Sequence, residues 1–552
     1  MEVRRGLKRH LEYVRTDKLF NFRPVFFSAL AFTLGILFAY LQIVFGVSAW
    51  WLLALLPILG TPFFFCRSLQ RLKATALGVV LLLVGFTLGN VGIRLQFSRF
   101  NDAGRYQGEF SVHGRVEEKL LYDEYVALVL GGVTIEGKAE EGRLVAYLPP
   151  WYADVFRLSD EVALEGEVEN AYAVEADGTL NAYALYEDNR FVMHAENCAV
   201  TGHTFDLFLE IRNRISETLY AGMDKETAGF TLAVLTGDIS GIQAELLQNV
   251  RYGGVAHVFA VSGLHIGAVF AFCLLLIRYT PLRRAPKWAR FAFCAGVLLF
   301  YGGVCGYSPS VVRALTTCLL FYGAKLLGIS TDATECLGGA HLLVLLLSPA
   351  ALFTAGFQLS FAAVYGLVWL SRPIAEGLHW VCDEVKGVFV AKAVEDGETH
   401  PLGLGGRIRR ACVNFLAVSI SSQLFTAPIC LVRFGYLSVI SLFLNCLFIP
   451  LISGAFAFLL ALALLACIFP LSWSFVFLYL PDVLLSGVLL LFHTVDFSPS
   501  CITLTLDAGG LVCWYLALLF CTDKWNISKG AKIVIAVAFF LAFGATVYAL
   551  NC

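Results

Sequence analysis

The stretch GGVAHVFAVSGLHIGAVF, Gly253 to Phe270, places two histidines and a serine in apolar surroundings. Imidazole and hydroxyl groups there suit four roles: metal ligands, catalytic groups, the wall of a polar passage, or polar packing between helices. Read as one straight helix, Ser262 and His265 are i, i+3 neighbours, and His257 lies about 80° around the axis from His265. Those two histidines stand roughly two turns apart and no nearby carboxylate completes a ligand set, so no metal is expected. AVSGL lacks the first glycine of G-x-S-x-G, and no acid is placed to orient the imidazole, so no catalytic residue is assigned. A polar passage and structural packing both stay open. Ala256, Ala260, Gly263, Gly267 and Ala271 recur at helical spacing and predict a small-residue stripe, with Gly263 and Gly267 forming a GxxxG for close helix packing.

Other polar residues also sit in apolar runs. Arg313 follows Pro309 in GYSPSVVRALTTCLLFYG, Gln358 and Ser360 lie in SPAALFTAGFQLSFAAVYG, and Gln423 lies in SISSQLFTAPI; Asn445 precedes Pro450. Ionisable groups in a bilayer are costly and usually face protein or water. Arg313 therefore either snorkels to the outer headgroups or is a buried cation facing a passage or an anion. Gln358 and Asn445 can join helices by hydrogen bonds.

Composition defines what carries these groups. The 552 residues are 58% hydrophobic and 15% charged, with mean hydropathy +0.73. A soluble globular domain is excluded by that balance. Several runs are long enough to span a hydrocarbon core of roughly 30 Å, so the chain is expected to be a polytopic α-helical membrane protein. The 16 cysteines follow no metal-ligand spacing and read as small buried hydrophobes.

Helices are predicted near 24–45, 49–66 and 74–93, after a tail rich in Arg and Lys from Arg4 to Arg23. The first run is too long for a cleaved signal and reads as a retained anchor. Further apolar segments fall near 255–277, 289–305, 308–328, 334–348, 351–371, 411–432, 438–467, 470–494, 508–521 and 533–550. Basic residues cluster at 278–290, in a long loop 372–410 and at 524–532, so the N-terminus is expected inside and the C-terminus outside.

Between these sets, EFSVHGRV, YVALVLGG, RLVAYLP, EVALEGEV and FVMHAENCAV alternate like strands and predict an inserted extracytoplasmic small β-barrel, OB-like in type. Residues 100–200 carry 20 acidic and 7 basic residues, a net of −13. The expected division is 1–99, a cytoplasmic tail with three transmembrane helices; 100–204, the β domain; 205–254, amphipathic surface helices; and 255–552, a helical domain of about ten apolar segments.

The block LTGDISGIQAELLQNVRYGGVAHVFAVSGLHIGAVF resembles the signature of the ComEC family of competence DNA channels, through Gly237, Asp238, Ser240, Gly241, Gly254, His257, Ala260, Ser262, Gly263, Leu264, His265 and Gly267. GYSPSVVRA, LSPAALFTAGFQLSFAAVYGL and FTAPICLVRFGYLSVISLFLNCLFIPL resemble later family blocks, with Arg313 as the arginine of the first. The resemblance implies passage of single-stranded DNA across the cytoplasmic membrane during natural transformation, without catalysis and without a cofactor. Its implied partners are a DNA receptor and uptake pilus outside, a cytosolic helicase or strand-binding proteins inside, and membrane lipids. Asp238, His257, Ser262, Gly263, His265, Gly267, Arg313, Gln358, Gln423 and Asn445 are the motif or channel-lining residues it implies. Many relatives carry a C-terminal nuclease domain of metallo-β-lactamase type; here no His-x-His-x-Asp-His occurs, so a separate nuclease is expected to act. Ser159 stands where relatives often have Gly. A net of −13 cannot attract phosphate broadly, so DNA contact in the β domain is expected to be weak stacking on Tyr122, Tyr125, Trp151 and Tyr152. The same polar helices also suit a transporter of another anionic polymer or small anion, and the histidines a membrane-embedded metal-dependent hydrolase.

Overall fold

The computed structural model describes residues 23–48, 69–390, 404–522 and 529–551, apart from 103, 123, 153–154, 176–178, 260 and 330–331. Helix α1 (Pro24–Phe45) starts on a proline, whose missing N–H costs nothing in a first turn. It packs on α2 (Leu69–Asn101) with backbones in contact: a Cβ at Gly35 would stand 2.0 Å from the Phe86 carbonyl oxygen, and one at Gly89 2.1 Å from that of Phe32. The helix expected at 49–66 lies outside the described residues.

The five strands expected from alternation all form: β1 (Gln107–Leu121), β2 (Val126–Ile135), β3 (Arg143–Leu148), β4 (Asp160–Asn170) and β5 (Asn189–His203). Each is hydrogen-bonded to two of the others, and β2 also pairs with a two-residue strand, Lys138–Ala139. β1 pairs antiparallel with β2 and β4, β2 with β3, and β4 with β5, while β3 and β5 run parallel. Val112, Leu128, Leu130, Leu144, Leu164 and Phe191 point inward and are fully buried. A short helix the alternation does not reveal, α3 (Ala182–Glu187), precedes β5; Asn181 caps it by accepting from the Ala184 N–H.

Asp206 and Asp224 cap α4 (Leu207–Gly222) and α5 (Lys225–Thr236). The expectation of a surface helix is corrected at α5: every residue from Thr227 to Thr236 is buried. Its threonines turn inward on the helix itself, Thr231 Oγ1 donating to the Thr227 carbonyl at 2.7 Å and Thr236 Oγ1 to Leu232 at 2.8 Å, so the apparent polar face needs no water. Asp482, inside an apolar helix, accepts from the Asp224 N–H at 3.1 Å and from the Thr227 hydroxyl, and so holds the start of α5 in the bundle.

After α6 (Ala244–Tyr252) come α7 (Gly263–Tyr279), α8 (Lys287–Val304), α9 (Pro309–Leu327), α10 (Ala333–Leu347), α11 (Ala355–Val390), α12 (Leu404–Phe434), α13 (Ser441–Ile468), α14 (Ser474–Thr494), α15 (Ala508–Cys521) and α16 (Lys529–Asn551). Much of the loop expected at 372–410 is helix: α11 continues past Pro373, with Arg372 and Glu376 paired at 2.9 Å one turn apart. Residues 391–403 lie outside the described set. Among the described residues, six helices are long and apolar enough to cross a membrane: Pro24–Phe45, Gly78–Asn101, Pro309–Leu327, Arg409–Phe434, Leu471–Thr494 and Gly530–Tyr548. With the high mean hydropathy, they make this a polytopic α-helical membrane protein.

Candidate functional site at the helix ends around Arg313

The opening motif does not form one helix. Gly254 follows α6 with φ +70°, and a Cβ there would meet Ser441 Cβ at 2.3 Å. Only glycine lets this turn lie against the start of α13. Ala256–Val258 form a 3₁₀ turn in which His257 is exposed while Val255 and Val258 are buried. The backbone then extends at Ser262 (φ −104°, ψ 171°), which caps α7. Ser262 Oγ accepts from the Leu264 N–H at 3.2 Å, and the Ser262 N–H donates to His265 Nδ1 at 3.1 Å. This is a capping box with histidine in the place of the usual Glu or Gln. His265 is buried, its ring 4.4 Å from that of Phe456. Because Nδ1 accepts, the neutral ring carries its proton on Nε2. Both side chains are thus engaged in starting a helix.

The small-residue stripe is corrected accordingly. Ala256 belongs to the separate turn, and residue 260 lies outside the described set. A Cβ on Gly267 would meet nothing within 4 Å, so no described residue packs on that glycine. A Cβ on Gly263 would stand 3.3 Å from Arg313 Nη2. The first turn of α7 therefore packs on α9 through the Arg313 guanidinium and the Ala314 Cβ, the latter 3.9 Å away.

Arg313 is 6% exposed, so it does not snorkel. Its Nε donates to Ser360 Oγ at 2.7 Å, and its Cζ lies 5.9 Å from the Phe361 ring centre. No carboxylate pairs with it among the described residues. Nearby, Ser310 Oγ donates to the Val261 carbonyl at 2.9 Å, tying the start of α9 to the loop before α7. Two helix N-termini, at Gly263 and Pro309, thus flank a buried cation held by a hydroxyl.

The other motif residues make their own contacts. Gln358 Nε2 donates to the Leu352 carbonyl at 2.9 Å, and its Oε1 accepts from Arg433 Nε at 3.2 Å. Gln423 Nε2 donates to the Ser438 carbonyl at 2.8 Å and to Ser441 Oγ at 2.9 Å, beneath Gly254. Asn445, one turn along α13, keeps a buried Oδ1 with no hydrogen-bond partner among the described residues. Asp238 Oδ1 accepts from the Ser240 N–H at 2.9 Å in the turn that closes α5, and Gly237 abuts Val261. Arg433 is the partner of Gln358, Ser360 of Arg313, Ser441 of Gln423 and Ser310 of the Val261 carbonyl, and of these four only Ser360 had stood out by its place in an apolar run.

The aromatic residues of the β domain divide in two. Tyr122 and Tyr125 lie 4.6 Å apart, centre to centre. Tyr152 stacks on Phe156 at 6.0 Å against the core, and Trp151 beside it is 74% exposed. Tyr147 and His194, which join the first group, were missed; the alternation of RLVAYLP and FVMHAE already places both outward. Among the described residues no group of three or more His, Cys, Asp or Glu side chains is placed to hold a metal.

Residues 234–526 match the family model described as Competence protein. The chain is 26% identical over 284 residues to ComE operon protein 3 of Bacillus subtilis, covering 50% of this chain and 32% of that one. It is 34% identical over 148 residues to competence protein ComA of Neisseria gonorrhoeae, covering 26% of this chain and 21% of that one. An uncharacterized protein of Aquifex aeolicus is 27% identical over 278 residues, with 56% of its length covered. The chain therefore spans a third or less of the two named competence proteins. No solved structure matches it. The matched region holds every motif block described above, and the chain belongs to the ComEC family of competence proteins.

Proposed function

We propose that this protein carries single-stranded DNA across the cytoplasmic membrane in natural transformation, as a channel without catalysis of its own. The observation that carries this reading is Arg313: a buried cation, held by the Ser360 hydroxyl and flanked by two helix N-termini, with no carboxylate among the described residues to cancel it. Such a group suits a passing phosphate, bound well enough to enter and weakly enough to leave. His257, Gln358, Gln423 and Asn445 line the same passage, while Ser262 and His265 shape its rim by capping α7. The division at 99, 204 and 254 is retained, with the β domain outside, the N-terminus inside and the C-terminus outside.

The β domain is read as an OB-like barrel. The support is the ring of pairings β1-β2-β3-β5-β4 and back to β1, with β3 and β5 parallel. A receptor and uptake pilus would deliver the strand, a separate nuclease would remove its complement, and cytosolic helicase or strand-binding proteins would receive it. The test is transformation of a competent host. Deletion, and Arg313→Ala in otherwise intact protein, should each abolish entry of DNA into the cytoplasm while binding at the cell surface persists. Normal transformation of the deletion, with an envelope defect instead, would transfer the reading to another anionic polymer.

A further inference from the structure

Four rings on the outside of the β domain touch in order. Tyr122 and Tyr125 are 4.6 Å apart, Tyr125 and Tyr147 5.3 Å, and Tyr147 and His194 5.4 Å. They come from the β1–β2 turn, from β3 and from β5. Strand register makes the row: Tyr147 stands opposite Ala127 on one side and His194 on the other. Their strand neighbours Ala146, Leu148, Met193 and Ala195 fill the core, so these rings have no core to fill. Tyr122 and His194, at the two ends, are exposed.

Arg251, at the end of α6, is exposed and has no ion-pair partner among the described residues. It lies within electrostatic range of both Tyr122 and Tyr436. Tyr436 meets Tyr252 edge-on at 5.3 Å, two residues before the Ser438 carbonyl that Gln423 holds. Arg251, without an ion-pair partner among the described residues, therefore acts on rings of both regions, Tyr122 of the β domain and Tyr436, which meets Tyr252.

We propose that the row His194–Tyr147–Tyr125–Tyr122 is a base-stacking track for single-stranded nucleic acid, and that Arg251 takes a phosphate where the strand leaves it for the bundle. This rests on the passage reading above. A domain of net charge −13 cannot hold a polyanion by charge, whereas stacking works on any unpaired base. A duplex hides its base faces, so the track selects single strands.

The test uses full-length protein in lipid nanodiscs and a short fluorescent oligothymidylate. Tyr125→Ala with Tyr147→Ala should weaken binding about tenfold or more without altering its salt dependence, as loss of stacking does. Arg251→Gln should weaken it and reduce the salt slope by about one phosphate contact. Tyr147→Phe, which keeps the ring, should bind as wild type and so separates lost stacking from lost folding. Tyr172→Ala, exposed but off the row, serves as the control. Unchanged affinity in the double variant overturns the track, as does equal binding of a blunt duplex. Preferential capture of glycan fragments by these rings overturns it too. Unchanged affinity alongside lost transformation in Arg313→Ala discards the track and keeps the passage; normal transformation in Arg313→Ala discards the passage.

Discussion

Arginines in the β domain and arginines in the helical bundle are held by different kinds of partner. In the β domain Arg143 pairs with Glu117 at 2.9 Å and Glu187 at 2.8 Å, Arg190 with Asp188 at 2.8 Å, and Arg115 with Glu117 at 3.2 Å. In the bundle Arg212 donates to the Val304 carbonyl, Arg214 to those of Cys467 and Phe469, Arg433 to Gln358 and the Phe353 carbonyl, and Arg313 to Ser360. Arg23, paired with Asp332, and Arg372, paired with Glu376 on an exposed helix turn, are the bundle's exceptions among the described residues. A carboxylate cancels the charge it binds; a carbonyl or hydroxyl orients the cation and leaves its field intact. Local compensation, more than the net charge of a region, decides where a polyanion can be drawn.

The widest separation between the two settings comes from exchanging one arginine in each for glutamine. Arg313→Gln should lower transformation about 100-fold, the loss of roughly one charge-assisted contact. Its stability should change by no more than about 1 kcal/mol, because an uncompensated buried cation departs together with its single hydrogen bond. Arg143→Gln should do the reverse. The Glu187 carboxyl is already pushed up by burial and by Glu118, and Arg143 opposes that rise. Without it the two carboxylates repel, and the β domain should lose about 2 kcal/mol. Thermal unfolding in detergent and transformation frequency, measured on both variants, check the contrast. Lost uptake in Arg143→Gln at unchanged stability would break it.

A smaller effect is expected at the seam between the regions. His203, at the end of β5, contacts Asp160 through Nδ1 at 2.9 Å and Glu210 of α4 through Nε2 at 2.8 Å. Asp160 first, then Glu210, raises its pKa above the usual 6.5. A group raised on folding contributes fully below its unfolded pKa and loses that contribution as pH climbs through the folded one. Only the charged ring donates from both nitrogens, so one of the two ties is released above that point. The protection factor against hydrogen exchange at the first turn of α4, corrected for the intrinsic pH dependence, should therefore fall as pH rises from 6.5, and His203→Gln should flatten the response. A flat profile in the wild type would show that the seam is held by Arg115 with Asp206 and by Arg157 with Glu217.

What could be read from the sequence follows the range of the interactions. Alternation is local, and it placed all five strands. Capping is local too, yet Ser262 was missed as a helix start because His265 occupies the position where Glu or Gln signals a capping box. The burial of α5 was hidden by threonines that satisfy themselves within the helix. Arg313 was singled out by its cost in an apolar run, but its partner Ser360 lies 47 residues away, and only the packing of α9 on α11 brings them together. The ring row depends on strand register, which alternation alone leaves open.

The smallest predicted effect tests whether stability in the β domain can be changed apart from its charges. Ser159 is fully buried at φ +73°, and its Oγ has no partner among the described residues. The backbone cannot relax, because its N–H donates to the Val116 carbonyl at 2.8 Å and its carbonyl accepts from the Thr204 N–H at 3.0 Å. Glycine removes the left-handed strain, worth about 1 kcal/mol, and a buried unsatisfied hydroxyl of similar cost. Greater freedom of the unfolded chain returns about 0.5–1 kcal/mol of that. Ser159→Gly should therefore stabilise the β domain by about 1 kcal/mol, read as a rise of a few degrees in its unfolding. Ser159→Ala, which deletes the hydroxyl but keeps the strain, should gain less. Neither variant touches a charge or a ring of the row, so transformation should stay at the wild-type level. A stabilised variant that takes up DNA poorly would mean that motion of the β domain, and not only its surface chemistry, governs passage of the strand.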